Sequence, residues 1–180
     1  MVVFFNGNTL YQAGNLYTAT ADATINSVTP TTCFSGTKLG TTTIKANTLK
    51  VGQKFSIWGA GYYSTPLANT STVTITVKIG STTVSTVTTA AFPASATNLP
   101  FDFILNFTVR AIGASATLVC DGTFNYATAL SAVAKTSNSL SSIGTATFDS
   151  TADKAMDVLA SWSAVTTQTA TIQQSKIDFL

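Results

Sequence analysis

The only carboxylates in this chain are seven aspartates, Asp22, Asp102, Asp121, Asp149, Asp153, Asp157 and Asp178; histidine and glutamate are both absent. A Ser-His-Asp triad needs an imidazole and most zinc centres use one. A glycosidase built on this chain would have to run on two aspartates held about 5–9 Å apart. Asp149, Asp153 and Asp157 recur at every fourth position, which would align them on a helix, but Thr147-Phe148 before them and Val158 to Trp162 after them read as strands. A calcium loop places its oxygen ligands more densely and usually includes a glutamate, so these three read as solvated turn residues. Cys33 and Cys120 are 87 positions apart, with no CxxC and no basic neighbour to activate either thiol. They are expected to be buried thiols rather than a disulfide. The chain is therefore expected not to be an enzyme and to use no metal or cofactor.

The residue types that remain suit contact. Trp58, Tyr62 and Tyr63 surround the glycine-rich run Gly59-Ala60-Gly61, which reads as a loop extending to Pro66. Exposed aromatics at a loop can stack on sugar rings or anchor a protein interface, so these three are candidate receptor or sugar contacts, with core packing the alternative for Trp58. Arg110 is the only arginine and is a candidate for an ion pair between subunits; otherwise it is simply exposed. The net charge is +2 and the eight lysines are scattered, which excludes a phosphate-neutralising stripe and hence nucleic-acid binding. No apolar run reaches the length of about 18 residues that a membrane span requires. The start, Met1-Val2-Val3-Phe4-Phe5-Asn6-Gly7, lacks the pattern of a signal peptide, so synthesis and assembly in a cytoplasm are expected.

The elements that must position these residues are strands. About one residue in five is threonine, a β-branched type that favours strands. Val73 to Ile79 alternates apolar and polar, Gly80-Ser81 marks a tight turn, and Thr82 to Thr88 resumes as the partner strand of a hairpin. Phe101, Phe103, Leu105, Phe107 and Val109 share one face of the longest alternation, with Ile104 the exception on the other, so this is the expected central core strand. Phe55, Ile57, Val73, Ile75, Val77, Ile79, Val158 and Trp162 are expected inward with them, because a slip of one residue would place them all in water. Asp121-Gly122 reads as a turn, and Ala127 to Ala134 as the one helical turn. Eight to eleven strands with no βα rhythm predict an all-β antiparallel sandwich, jelly-roll-like, occupying residues 39–180.

Charged residues make up 9% of the chain, against about 25% in ordinary domains. An uncharged hydroxyl- and amide-rich surface suits burial against other subunits; the alternative is an extracellular β domain. Residues 1–38 contain Asn6-Gly7-Asn8, Ala13-Gly14-Asn15 and a Thr/Ala tract, and read as an N-terminal arm or an added edge strand, with Val2, Val3, Phe4 and Phe5 the candidate attachment residues.

The run from Thr43 to Thr65, Thr43-Ile44-Lys45-Ala46-Asn47-Thr48-Leu49-Lys50-Val51-Gly52-Gln53 and onward through Gly59-Ala60-Gly61-Tyr62-Tyr63-Ser64-Thr65, resembles a pattern of tailed-bacteriophage virion proteins. Leu105-Asn106-Phe107-Thr108-Val109-Arg110-Ala111-Ile112-Gly113 is similar to a later strand of the same pattern. The resemblance spans residues 39–180 and rests on apolar, glycine and arginine positions that mark the fold. It implies a β-rich surface protein of a virion, as capsid decoration, head fibre or tail appendage. The low charge and the apolar start of residues 1–38 add the expectation of a homo-oligomer, expected trimeric, fixed to other virion proteins. The alternative is a carbohydrate-binding adhesin module that meets a host surface glycan.

Overall fold

The computed structural model describes the backbone of residues 2–6, 9–129, 135–164 and 167–180, and the side chains of these from residue 14 onward apart from 142–145. Fifteen strands are present among the described residues: β1 (Val2–Asn6), β2 (Thr9–Ala19), β3 (Ala23–Ile25), β4 (Thr31–Thr32), β5 (Lys38–Gly40), β6 (Thr43–Ile44), β7 (Lys54–Ser64), β8 (Val73–Ile79), β9 (Thr82–Thr88), β10 (Leu99–Ala111), β11 (Ala116–Ala127), β12 (Lys135–Ser139), β13 (Ser142–Phe148), β14 (Lys154–Trp162) and β15 (Thr169–Phe179). No helix occurs among them.

The strands form two antiparallel sheets. The larger runs β1-β2-β15-β7-β10-β11-β12, with β13 also on β11, β3 on β15 and β5 on β2; the smaller runs β4-β14-β8-β9, with β6 also on β14. Their inner faces share one continuous core, so the domain is a β-sandwich. All thirteen side chains expected inward from alternation are buried, and Ile104 is exposed. Phe55 stacks on Phe107 at 4.6 Å and on Phe179 at 5.1 Å, joining β7, β10 and β15 through one aromatic column. At the other end, Phe92 from the loop after β9 meets Tyr63, Tyr126 and Trp162 at 4.5, 4.3 and 5.4 Å. The Trp162 indole N–H donates to Ile25 O at 3.1 Å, so the one polar atom of this buried ring is satisfied.

The β8–β9 hairpin turns at Gly80, whose φ of 59° is the left-handed conformation that the turn requires. On the outer face of this hairpin, threonine hydroxyls partner one another across the strands, Thr74 with Thr88 at 2.9 Å. Hydroxyls thus take up part of the surface role that charge plays elsewhere.

Three expectations are corrected. Gly59-Ala60-Gly61 is not a loop: β7 runs unbroken to Ser64. Its glycines answer close approach, because a β-carbon on Gly59 would stand 2.4 Å from the Phe103 ring and one on Gly61 1.9 Å from Thr171 O. Asp121-Gly122 is likewise no turn but the middle of β11, and a β-carbon on Gly122 would meet Ile104 O at 2.5 Å. The expected helical turn begins at Ala127, which closes β11, and residues 130–134 lie outside the described ones.

The third correction concerns residues 1–38. From Gly14 onward they belong to the sandwich: β2 pairs β15, β3 pairs β15, β4 pairs β14, and Leu16, Tyr17, Ile25, Cys33 and Phe34 join the common core. The Tyr17 hydroxyl donates to Ser35 O at 3.2 Å, anchoring the segment to itself. What stands outside is a hairpin. Val2–Asn6 pairs with Thr9–Ala13, whereas β15 reaches β2 only from Gly14 to Thr18. The hairpin therefore continues past the end of β15, with β1 at the edge of the large sheet. Val2, Val3, Phe4 and Phe5 lie on β1, and their side chains fall outside the described ones.

Candidate binding surface on the large sheet

Alternation along β7 sends Phe55, Ile57 and Tyr63 into the core and Ser56, Trp58, Ala60 and Tyr62 to the outer face. The antiparallel register then builds rows across β10, β7 and β15. Ile104, Trp58 and Lys176 form one, Asp102, Ala60 and Gln174 the next, and Pro100, Tyr62 and Thr171 the third. Trp58 is thus held on the outward face of a three-strand platform, half-buried and flanked along its own strand by the small residues Ser56 and Ala60.

That arrangement leaves a depression on each side of the indole. One, of about 410 Å³, is bounded by Trp58, Ala60, Pro100, Asp102, Lys135 and the pair Gln173-Gln174. The other, also about 410 Å³, lies between Trp58, Ser56, Ile104 and Lys176. The two glutamines reach the same face because β15 carries a bulge: its register against β7 shifts between Ile172 and Gln174. Ile172 and Ser175 point inward while Gln173 and Gln174 both point out. Among the described residues, the Trp58 indole N–H and both glutamine side chains make no hydrogen bond to protein.

Asp102 is held from two sides. Its Oδ2 accepts from Asn125 Nδ2 at 2.8 Å and its Oδ1 from Lys135 Nζ, which neutralises it. One carboxylate oxygen pair, two free amides and an indole therefore face the same depression, with no net charge.

The other residues singled out from the sequence are placed differently. Tyr63 is 1% exposed, packs edge-on against Phe92 and donates its hydroxyl to Ala127 O at 2.5 Å, so it is a core residue and not a surface contact. The next position on the strand always faces the opposite way, which is why Tyr62 and Tyr63 part. Burial pushes the Tyr63 phenol well above its usual range, and the nearby Tyr126 adds to the effect. Arg110 is exposed on the outer face of β10, and none of the ion pairs among the described residues involves it.

The aspartates at 149, 153 and 157 are each spoken for locally. Asp149 accepts from the Thr151 hydroxyl and N–H, which hold its carboxyl below the usual range. Asp153 accepts from Lys45 at 2.7 Å and from the Ala46 N–H at 2.9 Å, with the same effect. Asp157 lies on β14, where burial raises its carboxyl although Thr32 donates to it at 2.5 Å. Asp121 takes a hydrogen bond from Ser141 at 2.6 Å. Among the described residues, no three His, Cys, Asp or Glu side chains gather into a group that could hold a metal.

Cys33 is a buried free thiol whose pKa is pushed far up, by burial first and then by Asp157. Cys120 is also buried and its Sγ donates to Leu140 O at 3.8 Å. Sequence reasoning did not single out Gln173 and Gln174. The signal was present in Ile172-Gln173-Gln174-Ser175, where two successive polar residues interrupt a period-2 pattern, as a bulge does.

No family model matches this chain, and neither does any curated protein or solved structure.

Proposed function

We propose that this chain is a non-enzymatic structural protein of a bacteriophage particle: a jelly-roll-like surface component, as capsid decoration, head fibre or tail element. In this reading it works as a homo-oligomer, expected trimeric, assembled in the host cytoplasm and fixed to other virion proteins. The observation that carries the reading is the hairpin of Val2–Asn6 and Thr9–Ala13, which runs past the end of β15 and offers the edge of β1 to a neighbour. An edge strand exposes a row of N–H and C=O groups that a second chain can complete by strand addition. Proteins blunt such edges with charge when they remain alone, and Val2 to Ala13 contains none. The low charge of the whole chain agrees, since surface that leaves water on assembly has less need of it.

The test compares the full chain with a variant lacking residues 2–13, by sedimentation velocity and by co-sedimentation with particles. The full chain is expected to form a discrete oligomer and to travel with particles. The shortened chain is expected to remain folded as a monomer and to stay in the supernatant. A full chain that is monomeric and does not associate with particles overturns the reading, as does a shortened chain that assembles normally.

A further inference from the structure

We propose that the outer face of the large sheet around Trp58 is a binding site for a neutral oligosaccharide. This inference stands apart from the assembly reading, because a single protomer carries every residue it needs.

The indole is the anchor. Ser56 and Ala60, two positions before and after Trp58 on the same face, are too small to cover it, so it has a depression on each side. The negative face of an aromatic ring attracts the weakly positive C–H groups that a pyranose presents on one side. Ring hydroxyls on the sugar's edge then need partners that both donate and accept. Gln173 and Gln174 supply amides that are uncommitted within the described protein, brought to the groove as a consecutive pair by the bulge. Asp102, fixed by Asn125 and Lys135, supplies a carboxylate whose orientation is already set. Such pre-ordering reduces the entropy lost on binding.

The charge balance selects the ligand class. Lys135 is matched by Asp102 across the first depression, and Lys176 by Asp178 at 2.7 Å beside the second. A phosphate or an acidic polysaccharide finds no spare cation here, and a basic peptide finds no spare anion. The rim of amides and carboxylate suits a hydroxylated ligand better than an apolar protein anchor. Tyr62 lies on the same strand face four residues beyond Trp58, about 13 Å away at ~3.3 Å per residue. The site therefore has the reach of an oligosaccharide chain rather than one sugar ring.

The experiment uses the full chain with neutral oligosaccharides of glucose, mannose, galactose and N-acetylglucosamine, and an acidic uronate oligomer for contrast. Binding is read by saturation-transfer NMR, Trp fluorescence and calorimetry. At least one neutral oligomer is expected to bind and to perturb Trp58. Trp58→Ala should weaken it about tenfold or more, and Ala60→Trp, which fills the first depression without removing the anchor, should do the same. Gln173→Ala should lower affinity severalfold, whereas Thr86→Ala on the opposite sheet should leave it unchanged. Near-UV circular dichroism of each variant separates loss of binding from loss of fold. The proposal is overturned if no neutral oligomer binds, if binding survives both Trp58→Ala and Ala60→Trp in folded protein, if the uronate is preferred, or if a second copy of this chain covers Trp58 in solution.

Discussion

A β-carbon placed on Gly59 would stand 2.4 Å from Cζ of Phe103, so the Phe103 ring fills the space that any other residue at position 59 would need. The two face each other across β7 and β10 in the middle of the large sheet. Gly59→Ala should therefore destabilise the domain by about 1–3 kcal/mol through overpacking. Phe103→Leu should recover part of that loss in the double variant, giving a favourable coupling in a urea-denaturation cycle. Additive effects would show that the ring moves aside freely.

Tyr63→Phe should cost about 1 kcal/mol, because it leaves the buried Ala127 carbonyl without its donor while keeping the ring contacts with Phe92. Chemical denaturation at neutral pH measures this directly. The fold should otherwise be unchanged.

The alkaline limit should follow from the same phenol and from Cys33, both of which hold their protons in the fold to higher pH than in the unfolded chain. A group of this kind stabilises the fold fully only below its unfolded pKa, because above that the unfolded state gives up the proton and the folded state does not. Stability should fall as pH rises through roughly 8.5–10, where unfolded thiols and phenols ionise. Tyr63→Phe should flatten the upper part of that decline. Cys33 should also resist thiol reagents until the protein unfolds.

On the acid side the sign reverses. Asp149 and Asp153 have carboxyls held below their ordinary range by hydrogen bonds, from Thr151 and from Lys45 respectively. Asp178 is held below it too: burial opposes the shift, but Lys176 and Asn15 outweigh it. Their contributions are present above the unfolded value of about 3.9 and are lost as pH falls through the lower folded values. Asp157, raised by burial, works the other way and should soften the loss. Denaturation midpoints between pH 2 and 6 should therefore decline less steeply in Asp153→Asn and more steeply in Asp157→Asn than in the parent chain.

Removing residues 2–13 should leave cooperative unfolding intact, whereas removing 1–38 should abolish it, because the longer deletion takes Leu16, Tyr17, Ile25, Cys33 and Phe34 out of the core. Thermal unfolding of the two truncations checks this. A folded 39–180 fragment would show that those five side chains are dispensable.

The inward face of nearly every long strand was legible in the sequence, because alternation carries it: Phe101 to Val109 and Val73 to Ile79 need no tertiary information to be oriented. Gly59, Gly61 and Gly122 misled for a physical reason. Glycine marks both a turn and a tight approach, and only the position of Phe103, Thr171 or Ile104 on the neighbouring strand decides between them. The role of residues 14–38 was hidden similarly, since their short strands find partners in β14 and β15, more than a hundred residues away. For the candidate surface, Trp58 and Tyr62 were recognisable by type, but their placement beside Gln173, Gln174 and Asp102 is set by register and by a bulge. Tyr63 was misassigned because reading a loop there suspended the alternation that places it inside.

The position of β15 has a consequence for how the protein is made. Thr169–Phe179 follows every other described strand, yet it lies between β2 and β7 and also holds β3. Until that segment leaves the ribosome, β2 and β3 cannot join the large sheet, and β7 shows an open edge on that side. The β8–β9 and β10–β11 hairpins can form early, but closure of the large sheet must await β15. Folding should therefore be slow, as expected when the decisive pairings join distant parts of a chain. During that interval the nascent domain is open to pairing with its neighbours on the same message.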